Sequence, residues 1–262
     1  MEISFIHGII IFVAALFGEA FGCMFGGGSF FVQPVLLAVG ISAKMTVAND
    51  IASAAFACVG FLLTTKNRSK EITQTAIIAA PTLILGAIIG GHVLKTIPAQ
   101  LVEILILLIC TVGFIYVMTH FRKKKDIATK VKDAPIPHWK LALMAAGLLI
   151  GFYDGVSGAG SGIIIIAVMA MIVRKDMNTT ICMSNWVSCI SLTAAGLTFL
   201  FLGLLDFKLL ALMIPAAFLA GVVAARLNDL LPERLLRIIY AGVLIGLLIY
   251  LAAGTLQDYG IF

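Results

Sequence analysis

Charged residues are scarce in this sequence: they make up 12% of it, while 61% is apolar, against about 25% charged in an average soluble domain. With a mean hydropathy of +1.12, such a chain needs lipid as its solvent. No Asp, Glu, Lys or Arg interrupts residues 72–94, 104–121, 177–205, 209–225 or 238–257. Each run reaches or approaches the roughly 17–25 residues that carry a helix across a bilayer. Helices they must be, because lipid satisfies no free backbone N–H or C=O group. Residues 1–6 hold no Lys or Arg and include Glu2, so the first apolar segment reads as mature protein rather than a secretory signal.

Paired ligands are missing too. Cys23, Cys58, Cys110, Cys182 and Cys189 show no CxxC spacing and accompany no paired histidines, so buried free thiols are expected and neither a metal site nor a cofactor is read. His7, His92, His120 and His138 lie toward span ends or in a hydrophilic loop. None pairs with a serine, so an intramembrane protease built on Ser161 lacks its base, and no catalytic residue is assigned. The net charge of +5 and pI near 9.0 do not point to nucleic acid. Seven of the eighteen basic residues, Arg122, Lys123, Lys124, Lys125, Lys130, Lys132 and Lys140, share one hydrophilic segment, which reads as a cytoplasmic loop.

What is present is an internal repeat. Pro81, Pro98 and the apolar run that follows align at one constant offset with Pro215, Pro232 and the run after them. Upstream, GGGS at 26–29 lies beside GAGS at 158–161, and Asn49-Asp50 falls near Ser184-Asn185. The expected architecture is an all-α polytopic membrane protein of two inverted repeats, 1–121 and 141–262, joined by a basic linker, 122–140. Each repeat holds a glycine-broken helical hairpin (5–39; 141–173) and three transmembrane helices (47–65, 73–94 and 101–121; 179–202, 209–225 and 235–251). Split at its glycines, each hairpin gives arms of about 12–18 residues, marginal for a core roughly 30 Å thick, so the hairpins need not cross completely.

Topology follows from Lys and Arg counts. With the linker inside and each hairpin returning to its starting side, fifteen of the eighteen basic residues fall inside and only Lys44, Lys95 and Lys208 outside. The halves then run in opposite senses and both termini face out.

Inverted repeats with broken helices place their site near the midplane, where unwound backbone is tolerated if buried or facing water. The break strings run from Glu19 to Ser29, through Gly26, Gly27 and Gly28, and from Asp154 to Gly162, through Gly158, Gly160 and Ser161. Helices restarting at Ser29 and Ser161 aim amides and the positive dipole end at a small anion; the plainer reading is that these glycines only let helices pack closely. Glu19, Asp50 and Asp154 are intramembrane or near-membrane carboxylates and proton-coupling candidates. Asn49, Ser184, Asn185 and Ser188 add polarity, and no Lys or Arg lies deep in a span. The alternative has Asp50 capping a helix that starts near Asn49, with Glu19 and Asp154 facing water at the hairpin mouths. Pro34, Pro81 and Pro215 are candidate kinks; Tyr153 and Trp186 read as cavity lining or as interfacial anchors.

The string GGGSFFVQPVL from Gly26, the second-half GAGSG, the span after each and the proline-anchored pairs resemble the TauE/SafE sulfite exporter family over about 5–251. The resemblance implies a bacterial inner-membrane permease that exports or takes up sulfite or organosulfur anions such as sulfoacetate or thiosulfate; the leading reading of the chain is a transporter of a small sulfur-containing or organic anion, by export coupled to the proton gradient. Carried over by position, the substrate-facing residues are Gly26, Gly27, Gly28 and Ser29 with Gln33 and Pro34, then Asn49 and Asp50, and Gly158, Gly160, Ser161 and Gly162 with Ser184 and Asn185. Two departures stand out: residues 163–167 hold no proline, and the small polar stretch opening the next span reads Ala48-Asn49-Asp50.

The partners expected are a small anionic solute and the lipid bilayer, with homo-oligomerisation left open. Two rivals remain on the sequence: a permease for a metal cation, favoured by the carboxylates, and an accessory subunit without cargo. Reporter fusions are expected to put the 122–140 stretch and the start of the chain in opposite compartments; finding both in one compartment defeats the inverted arrangement.

Overall fold

The computed structural model describes residues 5–67, 69–120, 137–175 and 177–230. These form nine helices and no strand: α1 (Phe5–Phe25), α2 (Ser29–Ala38), α3 (Ala43–Thr64), α4 (Lys70–Thr96), α5 (Ala99–His120), α6 (Trp139–Val156), α7 (Ser161–Ile172), α8 (Met177–Leu202) and α9 (Phe207–Leu230). Among the described residues six helices, α1, α3, α4, α6, α8 and α9, are long and apolar enough to cross a membrane. Most of the expected linker and the expected span 235–251 lie outside the described residues, as does Pro232.

The helices start where chain chemistry supplies caps. Ser69 Oγ accepts the Ile72 amide at the head of α4 (3.4 Å), and Asp206 Oδ1 accepts the amides of Lys208 (2.8 Å) and Leu209 (3.3 Å) at the head of α9; each satisfies end groups that have no intrahelical partner. The hairpins are less even than expected. At 21 and 18 residues, α1 and α6 run about 31 and 27 Å, while α2 and α7, at 10 and 12, run only about 15 and 18 Å. The first arm thus exceeds the expected length because Gly18 and Gly22 do not interrupt it. They sit within α1 and let α2 lie against it, Gly18 facing Val32 and Gly22 facing Gly28.

Backbone contact through glycine holds the bundle, as it must where lipid removes the hydrophobic drive between helices. Along α4 and α6, which run parallel, Gly147 meets Thr82, Gly151 meets Leu83, and Gly155 meets Ala87 and Gly90. Between α3 and α9, Gly60 meets Phe218 and Gly221 meets Ala57. The pairings exchange consistently: α4 packs on α6 as α9 packs on α1, α3 on α9 as α8 on α4, and α1–α2 and α2–α3 match α6–α7 and α7–α8. At the centre α3 and α8 run antiparallel, Ala52 beside Gly196 and Thr65 beside Cys182. The most enclosed span is α3, with 78% of its apolar window buried, against 33–44% in the other five. Large apolar side chains such as Ile77, Leu85, Phe201 and Leu219 face outward instead, an apolar exterior suited to lipid.

Basic residues gather at the two ends of the bundle. At one end Lys44 Nζ donates to Lys95 O (2.7 Å), and the Asp206 amide, two residues before Lys208, donates to Asn49 near the head of α3 (3.2 Å). At the other, Lys175 pairs with Glu71 (2.9 Å) and Asn67 donates to Thr179 (3.3 Å).

A Cβ at Gly221 would overlap the Ala57 carbonyl, whereas one at Gly8 would meet only Leu212 Cδ1 at 3.8 Å. Gly221→Ala is therefore expected to destabilise the purified chain by about 1–3 kcal/mol, and Gly8→Ala to be neutral or stabilising by up to about 1 kcal/mol. Thermal unfolding in detergent measures both, and equal Tm values for the two variants would contradict this packing.

Candidate functional site

The two breaks meet. After α1 the chain turns at Gly26 (φ +85°), and after α6 at Gly158 and Gly160 (φ +63° and +76°), values open to glycine and strained for other residues. The Gly26 carbonyl accepts the Ile163 amide (3.2 Å), and a Cβ at Gly26 would occupy the Gly162 backbone. A Cβ at Gly160 would run into the Phe30 ring of α2. Several break-region amides are already engaged: Phe31 donates to Gly28 O (2.9 Å), Ser161 to Gly158 O (3.1 Å) and Ile163 to Gly160 O (3.0 Å). Tyr153 Oη donates to Ala159 O (2.6 Å) and staples the second break, while Trp186 borders an outer apolar groove with Ile88 and His92.

Beside this junction lies a cavity of about 50 Å³, room for a solute of a few heavy atoms. Its polar wall is Glu19, Ser29, Ser161, Ser184, Asn185 and Ser188, with glycines of both breaks and the thiol-bearing Cys23 and Cys58 completing it. Cys23, Cys58, Cys182 and Cys189 form no disulfide with one another, and the first three are buried. Asn185 spends both amide hydrogens on Cys23 O (2.7 Å) and Ile181 O (3.0 Å), fastening the end of α1 to α8.

The three carboxylates are buried, Glu19 at 4% exposure and Asp50 and Asp154 at 0%, and no Lys or Arg is buried among the described residues. Neither the capping role for Asp50 nor the water-facing mouths for Glu19 and Asp154 survives: α3 begins two turns earlier, at Ala43, and all three groups are enclosed. Gln33 Nε2 donates to Asp50 Oδ2 (2.9 Å) and to Ser157 O (2.8 Å), and Ser191 Oγ donates to Asp154 Oδ2 (2.5 Å). The Glu19 and Asp50 carboxyl groups face each other, with the Ser29 hydroxyl against Asp50 and that of Ser161 against Asp154. Among the described residues, five buried oxygens make no hydrogen bond within the protein: Glu19 Oε1, Gln33 Oε1, Asp50 Oδ1, Asp154 Oδ1 and Ser157 Oγ. Buried polar atoms are ordinarily met by a partner, ordered water among them.

Of the residues singled out in the sequence, Glu19, Gly26, Gly28, Ser29, Gly158, Ser161, Gly162, Ser184 and Asn185 share the cavity. Gln33 and Asp50 form an adjoining pair, and Gly27, Pro34 and Gly160 are buried beside it. Asn49 is drawn elsewhere: it donates to Met45 O (2.7 Å) and accepts from Asp206, tying α3 to the loop before α9. Ser188, noted in the sequence for its polarity, lines the cavity as well, whereas Ser157, Ser191, Cys23 and Cys58 were not among the expected site residues. A signal for Ser191 exists, because Ser184, Ser188 and Ser191 are spaced four and three apart, one face of a helix.

Comparison with known proteins agrees. The chain is 27% identical over 123 residues to the "Probable membrane transporter protein MamO" of Paramagnetospirillum magneticum, a stretch covering 44% of this chain and 19% of that protein. The chain thus spans well under half the length of this relative. No solved structure matches. The family described as "Sulfite exporter TauE/SafE" matches residues 10–251, nearly the whole helical bundle, and the chain therefore belongs to the TauE/SafE family of membrane transporters.

Proposed function

We propose that this transporter is a permease for a small oxyanion of the sulfite class, carried through the cavity where the two glycine breaks meet. The observation that carries this reading is that junction: two interrupted helices from opposite parts of the chain, backbone to backbone beside a polar space of about 50 Å³. The cargo is met by the hydroxyls of Ser184 and Ser188 and by the positive dipole ends of α2 and α7, and by the hydroxyls of Ser29 and Ser161 when the carboxyls of Asp50 and Asp154 that they face carry a proton. The small space favours an inorganic sulfur oxyanion over a longer organosulfonate.

With no Lys or Arg buried among the described residues to balance it, an anion beside Glu19 is opposed unless that carboxylate is neutral. A proton, held at Glu19 or Asp154, therefore accompanies the cargo. One proton with a doubly charged sulfite leaves a net negative charge, which an inside-negative potential drives outward by about 2.3 kcal/mol per 100 mV; export is the direction this favours. The exchange-consistent helix pairings and the antiparallel α3 and α8 support two inverted repeats, 1–121 and 141–262. The grouping of Lys44 and Lys95 with the Asp206 loop at one end, and of Lys66, Lys70 and Lys175 at the other, supports a cytoplasmic 122–140 linker and outward termini in a bacterial plasma membrane.

The full chain in proteoliposomes is expected to move sulfite. Gly27→Leu or Gly160→Leu should reduce flux to that of empty vesicles while leaving membrane insertion intact; wild-type flux in both variants would remove the site from the junction. Asp50→Asn separates the charge of the cargo. An anion binds the variant at least as tightly as the wild type, whereas a metal cation as cargo would lose tenfold or more in affinity.

A further inference from the structure

The two ends of the bundle are held by matching contacts, with the parts of the chain exchanged. At the end that carries Lys175, the chain leaving α3 meets the head of α8: Thr65 Oγ1 lies 3.5 Å from Cys182 Sγ, Asn67 Nδ2 donates to Thr179 Oγ1 (3.3 Å), and Lys175 Nζ pairs with Glu71 (2.9 Å). At the end that carries Lys44, the chain leaving α8 meets the head of α3: the Asp206 amide donates to Asn49 Oδ1 (3.2 Å). Cys182 is the sixth residue of α8 and Asn49 the seventh of α3. The helix ends match too. The Thr65 amide donates to Phe61 O (2.8 Å) and the Leu204 amide to Phe199 O (3.0 Å), and both phenylalanines are fully buried.

The contacts stand on opposite sides of the cavity. Along α8 the cavity lining begins at Ser184, two residues after Cys182; along α3 it begins at Ala54, five residues after Asn49. At 1.5 Å per residue these are separations of about 3 and 7.5 Å, and because α3 and α8 run antiparallel they lead away from the cavity in opposite directions. Both helices therefore take part in both contacts. They touch in between, where Ala52 lies against Gly196 with no side chain on the glycine, so a tilt of one helix on the other about that point parts one contact and presses the other closed. Little resists it at the Lys175 end: Lys175 and Glu71 keep 27% and 47% of their side chains exposed, and an ion pair that water reaches adds little net stability.

We propose that these contacts are the two gates of the pathway: Thr65 and Asn67 against Cys182 and Thr179, with Lys175 and Glu71, bar the cavity from one side of the membrane, and Asn49 against the Asp206 amide bars it from the other. The cavity is reached from a side when that side's contact has parted, and one parts at a time. Both are formed in this structure. The places of the contacts stand on the geometry alone; the passage of a solute between them rests on the permease reading.

The test reads the cavity thiol of Cys58 in a full chain that keeps no other cysteine (Cys23→Ala, Cys110→Ala, Cys182→Ser, Cys189→Ala); the serine leaves a hydrogen-bonding group beside Thr65. The probe is an anionic, membrane-impermeant methanethiosulfonate, added to sealed vesicles of each orientation. Lys175→Glu and Asn67→Ala are each expected to raise the labelling rate roughly fivefold in one vesicle orientation, and Asn49→Ala in the other. Combining Lys175→Glu with Glu71→Lys restores the ion pair and is expected to return the rate to that of the parent. Asn67→Ala trims a partly exposed side chain, so its reading does not depend on how the other variants fold. Rates raised from one and the same side by all the variants, raised from both sides alike, or unchanged throughout would overturn the gates. Sulfite flux by the wild-type chain in proteoliposomes, with labelling unchanged in the variants, would overturn the gates and leave the permease reading standing. Sided labelling in the expected sense without sulfite flux would uphold the gates and remove sulfite as the cargo.

Discussion

A helix that stops inside a membrane leaves end groups with no water to bond, and in this protein that constraint shapes everything near the centre. Both interrupted helices stop where the bundle encloses them, and each solves part of its problem with the other: the Gly26 carbonyl takes the Ile163 amide. The approach is so close that a single Cβ at Gly26 or Gly162 would block it. Further partners are local. Tyr153 closes the second break from its own helix, and Gln33 reaches from α2 to the Ser157 carbonyl. The junction is thus a polar backbone core inside an apolar bundle, possible only because protein encloses it.

Around that core the supporting packing is made of glycine and alanine. Gly60 and Gly221 bring α3 against α9, and Gly86, Gly90, Gly151 and Gly155 bring α4 against α6. Such contacts draw on dispersion between close backbones rather than on apolar burial, which lipid supplies equally to either state. Their exchange-consistent arrangement has a mechanical consequence. If the two sets of helices rock against one another, the breaks sit where the sets touch, so any relative movement must rearrange the site.

The breaks were legible in the sequence because glycine strings inside apolar runs have few other uses, and the spans because charge is absent from them for twenty residues at a time. The extent of the breaks was not. Gly18 and Gly22 look like further interruption but are helical, since a glycine that admits a close neighbour and one that turns the chain are the same letter. The depth of Asp50 was hidden for a related reason: the helix start is set by the turn at Gly40 to Ser42, which lifts Asp50 two turns into α3. Its neighbour Asn49 then points about 100° away and serves the loop before α9. Ser157 has no helical periodicity to announce it, and its importance comes from a glutamine that is 124 residues distant in sequence.

The shortage of charge, finally, sets how tightly cargo and co-ion can be linked. Two like unit charges 4 Å apart at an effective dielectric of about 20 repel by roughly 4 kcal/mol, close to a thousandfold in affinity. Were an arginine buried at the junction, an anion could bind whether or not a proton or cation had arrived, and the transporter would slip. With Glu19, Asp50 and Asp154 enclosed and no basic side chain buried among the described residues, an anion of the class proposed above would gain that factor only when positive charge came with it. The same absence that marks the chain as a membrane protein is therefore, at its centre, what would make transport obligatorily coupled.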